Sequence, residues 1–466
     1  MTDRAAPADL GDLERHLDET AERRLADYLD FLRIPSIGAL AEHAADMHTA
    51  AAFVAERLEA MGVEHVEVAE TGGHPIVYGD WLHAEGAPTV LVYGHYDVQP
   101  VDPLDLWLRP PFEPAVEDGR VYARGAADDK GQIHMHLAAA EAWLHVRGGP
   151  PVNLRFMFEG EEESGSANLE AWVAANRARL AADVAVISDT GFFEGNLPAL
   201  TTGLRGLMYA ELHVSSSRVD LHSGGFGGGV PNPAHALATI IAGLHDAHGR
   251  VAVPGFYDDV VELTEAERAE LARLPFDEAA WLASIGVKQA VGETGYTTVE
   301  RIGARPTLDV NGIWGGFQGE GQKTIIPAYA RAKLSCRLVP RQVPERIFGL
   351  VRERILALAP PGVAVEVHDL SGGLPTLTPI DHPATQAAAG AMEATFGTPP
   401  LYIRSGGSIP VAAHFERLLG LPVVLLGFAN PDDQAHAPNE NMVLDNYERG
   451  IRAIVRTWAA LAGTRL

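Results

Sequence analysis

Residues 89–100 read TVLVYGHYDVQP. Its first five residues, TVLVY, make a short, largely apolar run that suits a strand buried on both faces, the kind found in parallel sheets. The run ends at a glycine. Histidine, aspartate and proline then follow within six residues.

The same order recurs along the chain. Val152–Phe158 leads into EGEEESGS (159–166), Val184–Ile187 into SDT (188–190), and Pro422–Gly427 towards QAHAPN (434–439). Arg120–Ala123 reads as a brief strand before GAADDKG (125–131). Helical patterns lie between them, at about Lys130–Val146, Ala167–Ala175 and Asn446–Leu461. The opening predicts one helix from about Asp12 to Leu32, stopped before Pro35, because the residue before proline resists helical geometry. A second helix is expected over His48–Met61. Strands alternating with helices predict an α/β fold with a mostly parallel sheet flanked by helices.

The middle has a different rhythm. Leu207–Ser215 and Ala328–Val339 alternate apolar and polar residues, as half-exposed antiparallel strands do, and Val363–Val367 is similar. Helices are expected at about Pro233–His245 and Pro344–Leu358. This predicts a first domain of residues 1–205 and 379–466, interrupted by an α+β domain with an antiparallel sheet at 206–378; the acids and histidines at the strand ends of the first would make it the catalytic domain. The stretch 254–300 is acidic, helical and loop-rich, and no role follows from it.

Bulk properties narrow the classes. A chain of 466 residues exceeds one simple core and favours two domains. Its formal net charge of −26 argues against nucleic acid or an anionic membrane as partner. Cys336 is the single cysteine, so neither an intrachain disulfide nor a thiolate metal cluster can form. The N-terminus lacks a basic start followed by an apolar core, and no apolar run approaches the ~18 residues of a membrane span. A cytoplasmic protein is expected.

In open α/β sheets functional groups gather beyond the carboxyl ends of the strands. His95, Asp128, Glu162, Glu163, Asp189 and His436 follow five strand-like segments, offering imidazoles and carboxylates to one rim. Such ligands suit zinc, manganese or cobalt. One carboxylate can bridge two cations ~3.5–4 Å apart, leaving room for a water of lowered pKa, and a carboxylate beside the ligands can move its proton. A single histidine after a strand is usually an ordinary structural or solvated residue, and three consecutive glutamates usually form a solvated loop. Their joint placement is what points to metals. GGFGGG (224–229) and GEGQKT (319–324) lack the glycine–lysine–serine/threonine ending of a phosphate loop, and neither opens a helix directly after a parallel strand, so they read as plain turns or as pliable backbone near a ligand.

GHYDVQP, WLRPPFEPAVEDGRVYARGAADDKG, FEGEEESGS, DLHSGGFGG, KTIIPAYARAKLSCRLVP and GGSIP occur here in one order. In that order they resemble the di-metal amino-exopeptidases, and within them the cytosolic non-specific dipeptidase and carnosinase branch. Acetylornithine deacetylase and carboxypeptidase G are more distant members.

The resemblance implies two divalent ions per subunit, zinc first and manganese or cobalt as alternatives. It makes Asp128 the bridge, with His95 and Asp189 on one ion and Glu163 and His436 on the other. Glu162 becomes the general base, although Glu161 leaves that choice open, and Asp97 orients His95. The inserted domain becomes a lid and dimerisation domain. A homodimer is implied in which His222 acts across the subunit interface on the oxyanion, with Thr324 also reaching the partner's substrate. Arg337 and Ser408 would hold a dipeptide's terminal carboxylate. The implied reaction is dipeptide hydrolysis through a bridging hydroxide. Deacylation of N-acetyl or N-succinyl amino acids is the alternative, and a non-catalytic binding protein on this fold is a third.

Overall fold

The strand Thr89–His95 runs through the middle of a sheet, flanked in parallel by Asn153–Glu159 on one side and Val184–Ile187 on the other. Val423–Leu425 adds to Val184–Ile187, again in parallel. Antiparallel strands close both sides: Ile76–Trp81 and Glu64–Ala69 beyond Asn153–Glu159, and Ala199–Leu204 beyond Val423–Leu425. Val90, Leu91, Val92 and Tyr93 are all fully buried, as a two-sided cover of helices requires.

This is a computed structural model. It describes residues 9–407 and 409–466. Two units are distinguished: Met1–Thr202 with Thr378–Ile403 and Pro410–Leu466, and Gly203–Leu377 with Arg404–Ile409.

In the first unit the helix Lys130–Arg147 is buried along its entire first half, and Leu444–Ala462 contributes Tyr447, Ile451, Ile454 and Trp458 to the same core. Asp27 ties four helices together. Its carboxylate accepts from Arg57 Nε at 2.7 Å and lies 3.1 Å from His134 Nε2, and Nδ1 of that imidazole meets the Tyr447 hydroxyl at 2.7 Å.

The expected opening helix is two helices, Gly11–Glu19 and Ala21–Leu32, broken at Thr20. The buried Arg24 compensates for the break, donating to the Leu17 carbonyl at 2.6 Å and to Thr20 Oγ1 at 2.7 Å. A second departure matters more for the site. Arg120–Tyr122 does not join the main sheet. It pairs antiparallel with Ala115–Glu117 and Asn441–Val443 in a small sheet of its own.

In the second unit Thr307–Gly315, Tyr329–Leu338, Gly206–Ser215 and Ala364–Gly373 lie in that order, all antiparallel. Met208, Ala210, Leu212 and Val214 face a core with Leu237 and Ile240 of the helix Pro233–Ala242 and Ile347, Val351 and Ile355 of Pro344–Leu358. Thr307–Gly315 was not foreseen, because its Asn-Gly reads as a turn; the strand absorbs it with a register shift between Val310 and Gly312. The acidic stretch folds into short helices, two of them opened by capping boxes at Thr264 and Thr297. Arg305 holds this stretch by pairing with Glu293 at 2.8 Å and Glu262 at 2.9 Å.

Burial alone would raise the Asp27 carboxyl, but His134 and Arg57 outweigh it and hold it at about 2, below its ordinary 3.8. A depressed acid stabilises the fold fully above its unfolded pKa and loses that contribution as pH falls through the folded one. On the order of 2 kcal/mol is at stake. The urea midpoint of Asp27→Asn is expected to lie well below that of the unsubstituted chain at pH 6, and the two should converge as pH falls from 4 towards 2. A gap of equal size at pH 6 and pH 2.5 would refute this assignment.

Candidate metal centre

His95 ends its strand with Gly94 before it, and the space explains the glycine. A Cβ at Gly94 would lie 2.7 Å from Asp129 Oδ2 and 2.7 Å from Ile133 Cγ1. The imidazole behind it is fully buried. Its Nδ1 meets the Asp97 carbonyl oxygen at 3.1 Å and Asp97 Oδ1 at 3.3 Å, which directs Nε2 outward. Asp97 also accepts from the Glu163 backbone N–H through Oδ2 at 3.0 Å. One buried carboxylate therefore ties the loops after two neighbouring strands.

Asp128 lies on the loop before the helix Lys130–Arg147, across a cis peptide to Asp129. Its Oδ1 is 3.1 Å from His95 Nε2 and its Oδ2 is 2.9 Å from His436 Nε2. Asp189 Oδ1 stands 4.0 Å from His95 Nε2, and Glu163 Oε2 3.2 Å from His436 Nε2. Two donor sets result, His95–Asp128–Asp189 and Asp128–Glu163–His436, each with its ligand atoms within 4.8 Å of one another and both containing Asp128. His436 sits in a contorted loop in which Gln434, His436 and Asn439 all adopt positive φ (56°, 61° and 66°). Such backbone is tolerated where function demands it.

The local field is strongly negative. Hydrogen bonds to Asp128 and Glu163 push His436 up to about 10, against burial. His95 is raised as well: burial opposes this, but the contacts with Asp128 and Asp97 prevail. Burial followed by the charge of Asp128 raises Asp189, while burial of Asp128 is overcome by its two histidines, which hold it low. The rim thus draws cations, and protons are the cations that titrate there.

Divalent ions fit the donors better. Buried Glu163 Oε1 and Asp129 Oδ1 find no hydrogen-bond partner among the described residues, and buried His95 Nε2 faces the carboxylates of Asp128 and Asp189. Such orphaned acceptors are costly unless a cation satisfies them. The paired sets provide that, with imidazole and carboxylate donors of the kind zinc, manganese and cobalt accept.

The glutamate run resolves into separate tasks. Glu161 turns aside, accepting from Asn168 Nδ2 at 3.0 Å and from the His74 backbone N–H at 3.3 Å. Glu162 is half-buried, with no hydrogen bond to its carboxylate among the described residues, and burial aided by Glu163, Asp128 and Asp97 lifts it to about 7 against His95.

In the second unit His222 and Thr324 lie at one end of a short strand pair: Leu221–His222 aligns antiparallel with Ile325–Ile326, His222 opposite Ile325, and the Ser223 N–H donates to the Thr324 carbonyl at 3.0 Å. Both residues are exposed. Arg337 is half-buried on Tyr329–Leu338. Ser408 lies outside the described residues.

The family model "Peptidase family M20/M25/M40" matches residues 91–460. The chain belongs to that family. It is 36% identical over 384 residues to the Cys-Gly metallodipeptidase of Schizosaccharomyces pombe, covering 81% of each chain. It is 34% identical to human Beta-Ala-His dipeptidase, over 80% of this chain and 75% of that one. The fold matches an M20 family metallo-carboxypeptidase from Sulfolobus solfataricus with a TM-score of 0.81 at 34% identity, covering 94% of this chain and 99% of that one. The resemblance in the motifs is therefore a family membership, and the chain is a peptidase by family.

Sequence reasoning passed over Glu440. It stands one residue past the quoted QAHAPN loop and is fully buried. Its neighbours Pro438 and Asn439 read as turn residues, so nothing local announces it.

Replacing the shared carboxylate should disturb both donor sets at once. Asp128→Ala is expected to retain neither ion after dialysis against trace zinc, while His436→Ala retains one. Elemental analysis of the dialysed proteins checks this, and equal retention by the two variants would contradict a shared ligand.

Proposed function

We propose that this chain is a dipeptidase that hydrolyses the amide bond of dipeptides at a centre of two divalent ions, and that zinc is the resident metal. One observation carries the reading: the two oxygens of Asp128 each face a different imidazole, at 3.1 and 2.9 Å, and each imidazole has its own second carboxylate. His95 and Asp189 would hold one ion, Glu163 and His436 the other, with Asp128 common to both.

Bound there, divalent ions supply Lewis acidity that polarises the scissile carbonyl and acidifies water. The chain's own residues do the rest. Asp97 fixes the His95 ring so that Nε2 faces the centre. Glu162, lifted to about 7 and unengaged, is matched to taking a proton from the attacking water and handing it to the departing amine nitrogen. His222 would stabilise the developing oxyanion from the partner subunit of a homodimer, with Thr324 beside it. The guanidinium of Arg337, with Ser408, suits the dipeptide's terminal carboxylate. The inserted segment acts in this reading as lid and dimerisation domain, and the protein works in the cytoplasm. No helix among the described residues is long and apolar enough to cross a membrane.

Deacylation is less favoured, because the similar proteins of Schizosaccharomyces pombe, Homo sapiens and Saccharomyces cerevisiae, at 36%, 34% and 30% identity, are dipeptidases by name. A panel of dipeptides, longer peptides, and N-acetyl and N-succinyl amino acids separates the possibilities. Dipeptides should be turned over fastest, and Glu162→Gln should lose roughly 10²-fold or more in kcat while keeping its metal. Preference for acylated amino acids would overturn the substrate assignment, and near-normal turnover by Glu162→Gln the base.

The role given to His222 has its own test. Mixing His222→Ala chains with Glu162→Gln chains should restore part of the activity that each homodimer lacks, since one site of the mixed dimer is then complete. Absence of any recovery after subunit exchange would place His222 in the site of its own chain.

A further inference from the structure

The loop that delivers Asp128 is wrapped around a carboxylate from far along the chain. Glu440 accepts from the backbone N–H of Gly125 at 2.9 Å, of Ala127 at 2.8 Å and of Asp128 at 3.0 Å. The Arg124 guanidinium completes the shell at 2.8 Å. Glu440 and Arg124 are 0% and 1% exposed. Backbone N–H groups converging this way form an anion-binding concavity. Here the anion is the protein's own, 312 residues from Asp128 in sequence.

The grip is mutual. The Ala123 N–H donates to the Glu440 carbonyl at 3.1 Å, and Arg124 Nη2 reaches the Pro100 carbonyl at 3.3 Å. Pro100 ends the loop that begins at His95, and Glu440 lies four residues after His436. Three ligand-bearing loops therefore meet at one buried pair, Glu440 and Arg124, which belongs to neither donor set.

We infer that Glu440 is the positioning residue of the metal centre: it fills the loop 124–128 as an internal anion and sets where the Asp128 carboxylate stands. This rests on the two-ion reading given above. The carboxylate is needed because three N–H groups and a guanidinium all donate to it, and an amide at this position presents its own N–H to one side of the shell. A misplaced Asp128 affects both donor sets, so the two ions should weaken together. Loss of an outer hydrogen-bond partner typically costs 10–100-fold in metal affinity.

The test is Glu440→Gln in the full-length chain. Zinc dissociation constants are measured by competition with a chromophoric chelator, alongside hydrogen exchange of the peptide spanning residues 123–129 in chelator-treated protein. Both ions should bind roughly 10- to 100-fold more weakly, and the amides of that peptide should exchange faster while the rest of the unit keeps its protection. A merely structural role would lower the melting temperature but leave both dissociation constants of the folded protein unchanged, and that result overturns the inference. Should the variant fail to fold because Arg124 is left buried and unpaired, the double variant Arg124→Met, Glu440→Gln removes that charge and is read the same way. Unsubstituted protein that takes up no zinc would overturn the two-ion reading and this inference together. Unsubstituted protein that binds two ions no more tightly than Glu440→Gln overturns this inference alone.

Discussion

The Asp128 carboxylate offers one oxygen to His95 and the other to His436, and the surrounding architecture answers to that arrangement. A carboxylate shared in this way must be held in both position and rotation, because a small swing favours one partner over the other. The chain restrains it with a second layer of buried acids. Asp97 spans the loops of His95 and Glu163, Asp129 accepts from the His95 backbone at 3.2 Å, and Glu440 occupies the loop below. Each of these carboxylates is withdrawn from water. Burying so many acids is unfavourable unless each is matched by donors, cations or its own proton, and burial raises both Asp129 and Glu440. Backbone N–H groups and Arg124 meet part of that demand, and the facing donor sets leave the remainder to ions.

The sheet explains why these groups meet. Parallel strands all end at the same edge, so residues that follow Thr89–His95, Asn153–Glu159 and Val184–Ile187 are neighbours however far apart they lie in the chain. Asp128 reaches the rim by another route. Its preceding strand belongs to a small separate sheet, and that sheet is closed by Asn441–Val443, directly after Glu440. The small sheet thus aligns the loop of Asp128 with the segment that carries His436.

Much of this was legible in the residues. Continuous apolar runs such as TVLVY announced buried parallel strands, and alternation in LMYAELHVS announced an antiparallel one, because side-chain period follows directly from which faces are covered. The ligand candidates could be read because each follows a strand end, and the structure brings His95, Asp128, Asp189, Glu163 and His436 into the two overlapping sets. What escaped was non-local. Whether Arg120–Tyr122 joins the large sheet depends on a partner more than three hundred positions away. Thr20 breaks a helix only because a buried arginine satisfies the freed carbonyl. Glu161 and Glu162 are indistinguishable as letters and differ through Asn168 and His74, which engage the first alone.

The 312 positions between Asp128 and Glu440 also bear on biosynthesis. A ribosome emits the His95 and Asp128 loops long before the segment that completes them, so for most of translation the chain carries those side chains without His436 and Glu440. Because the closing segment emerges late, the donor set that contains His436 cannot be complete until nearly the whole polypeptide has been made.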